Sequence, residues 1–378
     1  MVPSPNKRLR ILVLWGSPVS EPYLSDFFLD NPRYDFEVVS GNSPKGKSPH
    51  AASWGRLWKL RRRLERGEFD LVVSGSIQNS AWPLNKRLAT RMTQAFHSFV
   101  HHHKMLDTYW APWLLGGKLR GRVPLAAIDL LDNEYVQPND FPLLKAATLY
   151  FKLNLHYWQR RSLMPLETLI GLRRVTFLTT KLRPFTHGIS TQQIPAEVRP
   201  MRERDIDLCF IGSIRPSPHP EENASQAGVA FDPIRKDILE RCRKLQDRFR
   251  VVCAEGLVPV KEYNDLLQRS KLIVCAEGFS CETFGHYHVT AHGGVPLINW
   301  PHSTNYRQLK SDVHAIYFSL VGDDFERTVA RALADPDKLE MIAEQGRAFT
   351  LANKQRSQVG EMVIEETLRE HARLQDKL

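Results

Sequence analysis

The stretch KLIVCAEGFSCETFGHYHVTAHGGVPLINW, residues 271–300, decides the fold. Residues 272–275 form a short apolar run with β-branched residues at its centre, the pattern of a strand buried on both faces. Between Glu277 and Glu282 the pattern breaks at Gly278 and Ser280, so the chain turns there. Over 283–292 the spacing of Phe284, Tyr287, His288 and Ala291 fits one helix face. Gly293-Gly294 ends that helix, and 295–298 read as a second buried strand. The crossover is about as short as a βαβ unit allows, which predicts parallel strands joined right-handedly. Ligands of such sheets bind beyond the carboxyl ends of the strands, where this polar turn falls. The amide groups of Thr283 and Phe284 at the helix start favour an anion, so the turn reads as a phosphate and ribose site. A Ser280 or Glu282 cap on a scaffold helix is the competing account of the same residues.

The chain around this stretch is long enough for two domains, each with its own core: 378 residues, 42% hydrophobic and 25% charged. No apolar run approaches the ~18 residues of a membrane span, and Arg8 and Arg10 lead straight into ILVLW without a cleavage pattern. Five cysteines without a CxxC pair argue against a disulfide framework or a zinc knuckle, and a cytoplasmic protein is expected. The net charge of +10 is unevenly placed. Residues 1–200 carry 28 Lys/Arg against 15 Asp/Glu, or +13, and residues 201–378 carry 24 against 27, or −3. An anionic surface or acceptor should therefore meet the N-terminal half.

Strands at 10–15, 36–40, 70–74 and 123–128, feeding helices through Gly, Ser or Asp, predict a doubly wound sheet in a first domain over 1–190. Within it, SWGRLWKLRRRLERGE places Trp54, Leu57, Trp58 and Leu64 near one helical face and arginines over much of the rest. Such a helix either lies on an anionic membrane or packs its tryptophans into its own domain. Residues 146–174 are also rich in aromatic and basic side chains. STQQIPAEVRPMRER, with two prolines and little apolar content, is the linker candidate at 191–204. Cleaner strand–helix alternation over 205–355 predicts a second α/β domain, and helical sequence over 356–378 is available to pack back on the first.

The loop after Ile211, GSIRPSPHPEE, offers Gly212, Ser213 and Arg215 for close approach to a diphosphate. It matches neither GxGxxG nor GxxxxGK[ST]. Asp205-Ile206-Asp207 and Asp335-Pro336-Asp337 fit a DxD pattern, but the first opens a strand and the second reads as a helix N-cap, so no metal site is expected. The histidines at 97, 101, 102 and 103 read as a surface helix. Asp129 and Asp132, in AAIDLLDNE at the end of a first-domain strand, are candidates for the base towards an acceptor hydroxyl, with loop capping as the competing role. His187, in PFTHGIS, is a further base candidate.

Residues 270–298, SKLIVCAEGFSCETFGHYHVTAHGGVPLI, resemble the donor-site signature of the exostosin-like and spore-maturation-protein-like bacterial glycosyltransferases. DIDLCFIGS at 205–213 and VPLAAIDLLDNE…LYFKLNL within 123–155 are similar to other parts of that group. The resemblance implies a GT-B fold, two Rossmann-like doubly wound α/β domains facing a cleft. It implies metal-independent hexosyl or related glycosyl transfer, with a nucleotide-sugar as substrate and no cofactor. The donor would meet Gly212, Ser213 and Arg215 near its diphosphate, and Glu277, Phe279, Ser280, Glu282, Thr283 and His288 around phosphate and ribose. A glycan or lipid-linked acceptor at the inner membrane face would meet the basic first domain. The chain departs from the family pattern at Gly285, where the pattern has Arg, and at His288, where it has the ribose-binding Glu. Glu282 stands about one helical turn earlier as a substitute. The departures keep a non-catalytic GT-B-like binding subunit in view. A pI near 9.4 raises nucleic-acid binding, but no RRM, KH, helix-turn-helix or zinc signature accompanies the charge, and none is expected.

Overall fold

The structure, a computed structural model, describes residues 8–15, 25–29, 31–40, 54–75, 111–131, 134–137, 140–212, 214, 232–278 and 280–377. The chain divides into two compact units, one of Met1–Phe185 with Ser357–Leu378 and one of Thr186–Arg356. Among the described residues no helix is long and apolar enough to cross a membrane.

The first unit is built on a parallel sheet of six strands. These are β1 (Leu9–Trp15), β2 (Tyr34–Ser40), β3 (Leu71–Gly75), β4 (Leu125–Asp129), β5 (Leu149–Lys152) and β6 (Leu182–Pro184), in the order β2-β1-β3-β4-β5-β6. β3, β4 and β5 are buried along their whole length, as expected of parallel strands covered on both faces. Between β1 and β2 lies a single π-helical turn, Ser25–Leu29, whose Phe27 and Phe28 are buried. Its Phe27 carbonyl stands against Gly360 of the C-terminal helix, where a side chain would not fit.

The basic helix α1 (Trp54–Glu65) buries Leu57, Leu60 and Leu64. Trp58 is off that face, 54% exposed, and meets Trp113 edge-on with ring centroids 5.1 Å apart. Arg61 donates to the Trp113 carbonyl at 2.7 Å, and Arg63 pairs with Glu37 at 2.9 Å and Glu68 at 2.8 Å. Two of the three consecutive arginines thus brace the unit, while Lys59 and Arg62 are exposed.

The second unit repeats the plan with five parallel strands. They are β7 (Ile206–Gly212), β8 (Val251–Glu255), β9 (Ser270–Cys275), β10 (Val295–Asn299) and β11 (Ile316–Phe318), in the order β11-β10-β9-β7-β8. Along β9 the side chains alternate between two apolar layers. Leu272 and Val274 face helices α2 (Asp232–Lys244), α5 (Asp324–Leu333) and α6 (Pro336–Asn353). Ile273 and Cys275 face α3 (Val260–Arg269) and α4 (Phe284–Ala291). β11 is short, and His314 just before it stacks on Phe349 at 4.2 Å. The C-terminal helix α7 (Arg356–Gln375) belongs to the first unit from Ser357 onward.

The segment read as a linker lies inside the second unit. Ser190–Arg204 holds two 3-10 turns, and Met201 enters the core. Arg204, 2% exposed, donates to the carbonyls of Leu267 (2.9 Å), Ser270 (2.7 Å) and His292 (2.6 Å). A polar, proline-containing segment carries little apolar pattern, but one arginine that satisfies three carbonyl ends anchors it as firmly as a core side chain. Arg204→Met should cost about 3 kcal/mol, because it strands those buried carbonyls. Urea unfolding of the full chain checks this, and a midpoint unchanged from the parent would show that water replaces the guanidinium.

Candidate functional site

The strand order dictates where a ligand can sit. From β7 the chain moves to β8 on one side and then crosses to β9 on the other, so the crevice opens between the carboxyl ends of β7 and β9. Gly212 ends β7, and the turn of residues 276–282 leaves β9. Gly212 and the turn, both singled out in the sequence, therefore flank one switch point.

The turn is held from three sides. The Glu277 amide donates to Asn299 Oδ1 at the end of β10 (3.3 Å), and the Gly278 amide donates to the Ser280 carbonyl (3.2 Å). Arg235 of α2 donates through Nε to the Glu277 carbonyl at 3.2 Å. A Cβ on Gly278 would lie 2.6 Å from Arg235 Nη2, so a side chain there would displace the guanidinium. Thr283 then takes the N-cap of α4 in an extended conformation with no side-chain cap. Neither Ser280 nor Glu282 caps the helix: the Ser280 hydroxyl bonds the Glu282 carbonyl instead. At the other end Gly293, at φ 70°, donates to the Thr290 carbonyl, and Gly294 donates to that of Val289. This left-handed turn is the helix stop read from Gly-Gly.

Glu282 does not point to a ligand. It is 2% exposed, and its Oε1 accepts from the Thr186 hydroxyl (2.7 Å) and the His187 amide (3.0 Å). Its Oε2 accepts from the Tyr287 hydroxyl, which the buried charge pushes well above the ordinary phenol range, desolvation acting first. Lys354, fully buried, stands 3.2 Å from the Thr186 hydroxyl and over the Tyr287 ring. Desolvation brings its amine down to about 8, against the opposing pull of Glu282. Glu282→Ala breaks a buried charged network and should cost about 3–5 kcal/mol of stability. The check is urea unfolding, with nucleotide affinity measured only on protein that remains folded.

His288 sits behind the turn, its Nδ1 3.3 Å from the Tyr263 hydroxyl and its Nε2 buried without a hydrogen-bond partner. Desolvation lowers it to about 4, so the ring is neutral near pH 7. His187 packs its ring on Phe284 at 4.2 Å, and desolvation, with Arg356, His286 and Lys354 adding, lowers it to about 3.

In the first unit Asp129 is fully buried. Its Oδ1 accepts from the Leu131 amide (2.9 Å) and lies 3.4 Å from Lys152 Nζ, while Oδ2 accepts from the Tyr150 hydroxyl (2.9 Å). Both oxygens are engaged in bracing a strand end, which favours the capping role over the base. Asp132, Ser213, Arg215 and Phe279, like the histidines at 97–103, lie outside the described residues.

The DxD-like pairs are committed to protein partners. Arg269 meets Asp205 at 2.6 Å and holds its carboxyl down at about 2. Asp207 pairs with Lys271 at 2.7 Å, Asp335 caps α6 through the Lys338 amide at 3.0 Å, and Asp337 pairs with Arg202 at 2.5 Å. Arg235 and Asn299, which shape the turn, carry no motif in the sequence. Arg235 lies in the first turn of α2.

No protein-family model matches the chain, and no curated protein does. Solved structures do match over nearly the whole length. An alpha-glucosyltransferase solved with UDP and a 13-mer DNA containing an HMU base superposes with a TM-score of 0.52 at 10% identity, covering 97% of this chain and 100% of its own. A structure of alpha-glucosyltransferase with UDP-glucose and abasic-site DNA gives 0.51 at 10%, over 96% and 99%. A glycosyltransferase from Rickettsia africae gives 0.50 at 10%, over 97% and 99%. The chain has the GT-B fold. Two Rossmann-like units account for both sheets, and the switch point of the second unit is where the sequence motif falls.

The buried histidines make stability depend on acid. His187 and His286 are both lowered to about 3 from an ordinary 6.5, chiefly by desolvation. Below about pH 6.5 the unfolded chain binds more protons than the folded one, so stability held above that pH is lost as pH falls towards about 3. At about pH 5 each ring should take roughly 2 kcal/mol from the folded state. Urea unfolding at the two pH values reads the loss, and His286→Gln should remove about half of this component. Equal stability at both would mean that these rings titrate normally.

Proposed function

We propose that the chain is a nucleotide-sugar-dependent glycosyltransferase whose second unit binds the donor. The place of Gly212 and of the 276–282 turn, at the carboxyl ends of the two strands that flank the β7/β9 switch point, carries this reading. The transfer breaks the bond between the anomeric carbon and the terminal phosphate oxygen and makes one to an acceptor hydroxyl. Charge develops on the leaving diphosphate, and a site for it needs oriented donors rather than a reactive side chain. Arg235 at Gly278 and the uncapped start of α4 offer such donors at the turn beyond β9. Among nucleotides, a uridine diphosphate sugar is favoured, since the alpha-glucosyltransferase of the same fold was solved with UDP and with UDP-glucose. Metal-independent transfer is favoured because each described DxD-like pair is spent on a protein partner or a helix cap.

The acceptor falls to the basic first unit, as a glycan or a lipid-linked sugar. Support for an anionic membrane surface comes from residues 157–177 more than from α1. There Tyr157, Trp158, Met164, Leu172 and Phe177 are exposed, with Arg160, Arg161 and Arg173 among them. Aromatic and basic side chains of this kind seat a protein at the headgroup level of a bilayer.

A second reading, a GT-B-like subunit that binds a donor without turning it over, is favoured by His288. Its ring is neutral and is placed against Tyr263. A neutral imidazole accepts one hydrogen bond where a carboxylate accepts several.

One experiment separates the readings. Thermal shift of the full chain with UDP, GDP, CMP and dTDP and their sugars should show a stabilising ligand, worth about 2.7 kcal/mol at ~100 times its dissociation constant. Arg235→Ala should weaken that ligand by about 1–3 kcal/mol. Turnover of the bound donor that survives EDTA supports the enzyme. Binding without turnover on any acceptor supports the subunit, and no response to any nucleotide overturns both.

A further inference from the structure

Trp300 closes the stretch that decides the fold, and the donors gathered for a diphosphate at the switch point make no use of it. It is the first residue beyond β10 and is 62% exposed. A single exposed apolar side chain is ordinary, but this one has company. Of the seven exposed large apolar side chains among the described residues of the second unit, five follow the carboxyl ends of strands. Leu257 and Val260 lie beyond β8, Phe284 beyond β9, Trp300 beyond β10 and Val321 beyond β11. Exposed apolar surface in this unit is thus gathered on the edge where ligands of such sheets bind.

The indole is also held in place. The Trp300 amide donates to the Phe318 carbonyl at the end of β11 (3.1 Å), and the ring meets Tyr317 edge-on with centroids 5.3 Å apart. The Tyr317 hydroxyl is anchored in turn on the Leu309 carbonyl. An edge-on contact covers only part of an indole, which leaves the rest to solvent. Polar groups stand next to it. Glu277 meets the segment 299–302 twice: its amide donates to Asn299 Oδ1 (3.3 Å), and its carboxylate lies 3.8 Å from His302 Nδ1. Neighbouring strands are ~4.8 Å apart, so the end of β10 lies about 7 Å to the side of the midline between β7 and β9. Trp300 therefore stands about one hexose ring away from a diphosphate bound at the switch point.

We propose that Trp300 is the platform on which the sugar of the donor lies, with Glu277 accepting from its hydroxyls, and that the pair selects a neutral hexopyranose. The proposal rests on the glycosyltransferase reading of the second unit. The C–H face of a pyranose ring covers an indole much as an apolar side chain would, while the hydroxyls on its rim need polar partners. A carboxylate accepts several hydrogen bonds, so Glu277 can serve hydroxyls as well as His302. A uronic acid would bring a second carboxylate against Glu277, and like charges at short range disfavour the wrong ligand. Glu277, which the sequence resemblance puts around phosphate and ribose, is thereby assigned to the sugar.

Isothermal titration of the full chain with UDP-glucose and with UDP tests the platform, because only one of the two carries a hexose. Should thermal shift select another of the four nucleotides, the comparison runs on that nucleotide and its glucose conjugate. Trp300→Ala should weaken the sugar nucleotide about tenfold and leave the free nucleotide within about twofold, with Trp300→Phe between parent and alanine. UDP-glucuronic acid should bind the parent about tenfold more weakly than UDP-glucose, and Glu277→Gln should narrow that gap. Equal weakening of both ligands by Trp300→Ala, or weakening of neither, overturns the platform. UDP-glucuronic acid that binds as tightly as UDP-glucose overturns the selection by Glu277 alone. A parent chain that responds to no nucleotide in thermal shift marks failure of the donor reading, and the platform falls with it.

Discussion

The second unit depends on one buried carboxylate. Glu282 gathers the Thr186 hydroxyl, the His187 amide and the Tyr287 hydroxyl, and Lys354 closes the group from the far side. An ionised side chain at this depth is tolerated only with its lone pairs filled and an opposite charge near it. Meeting that condition fixes three pieces of chain at once: the turn beyond β9, the segment entering the unit at Thr186 and the segment leaving it at Arg356. The same two end segments also pair with each other. Ile189 donates to the Lys354 carbonyl at 2.7 Å, and Arg356 donates to that of Ile189 at 3.0 Å. The Arg356 guanidinium lies 5.9 Å from the Phe284 ring, which packs on His187. The turn that the switch point offers to a ligand is therefore welded to the places where the chain enters and leaves.

The sheet does the complementary work. Five parallel strands leave their carboxyl ends on one edge, and the change of direction between β7 and β9 keeps the loops there from closing over one another. The scaffold supplies position and the turn supplies chemistry, which is how one fold hosts many specificities.

The strands and the α4 stop were legible in the sequence because they are local. Apolar runs bounded by turn residues give β7 to β10, and Gly293 announces a left-handed residue at the helix end. What escaped reading are partnerships between distant residues. Thr186 and Glu282 are 96 positions apart, Arg204 and His292 are 88, and Arg235 and Glu277 are 42. Sequence spacing carries no trace of such pairs. Glu282 was therefore read as a ligand contact or a helix cap, Asp129 as a base or a loop cap, and Ser190–Arg204 as a linker. In each place a polar residue looked available because the group that occupies it lies elsewhere in the chain. For Asp129 the partner is close, Lys152 on the next strand, but parallel register rather than sequence distance brings it there.

The first unit is assembled from both ends of the chain, with the whole second unit between them. During synthesis this imposes an order. The six strands of the first sheet are made before the second unit, but α7, which covers Phe27 through Gly360 and pairs Glu361 with Arg33, emerges only after it. The second unit, being continuous, can complete its own core before that helix exists. The first sheet must wait with its Phe27 and Phe28 layer uncovered, so the nascent chain is more open to aggregation and chaperone capture in its first unit than in its second.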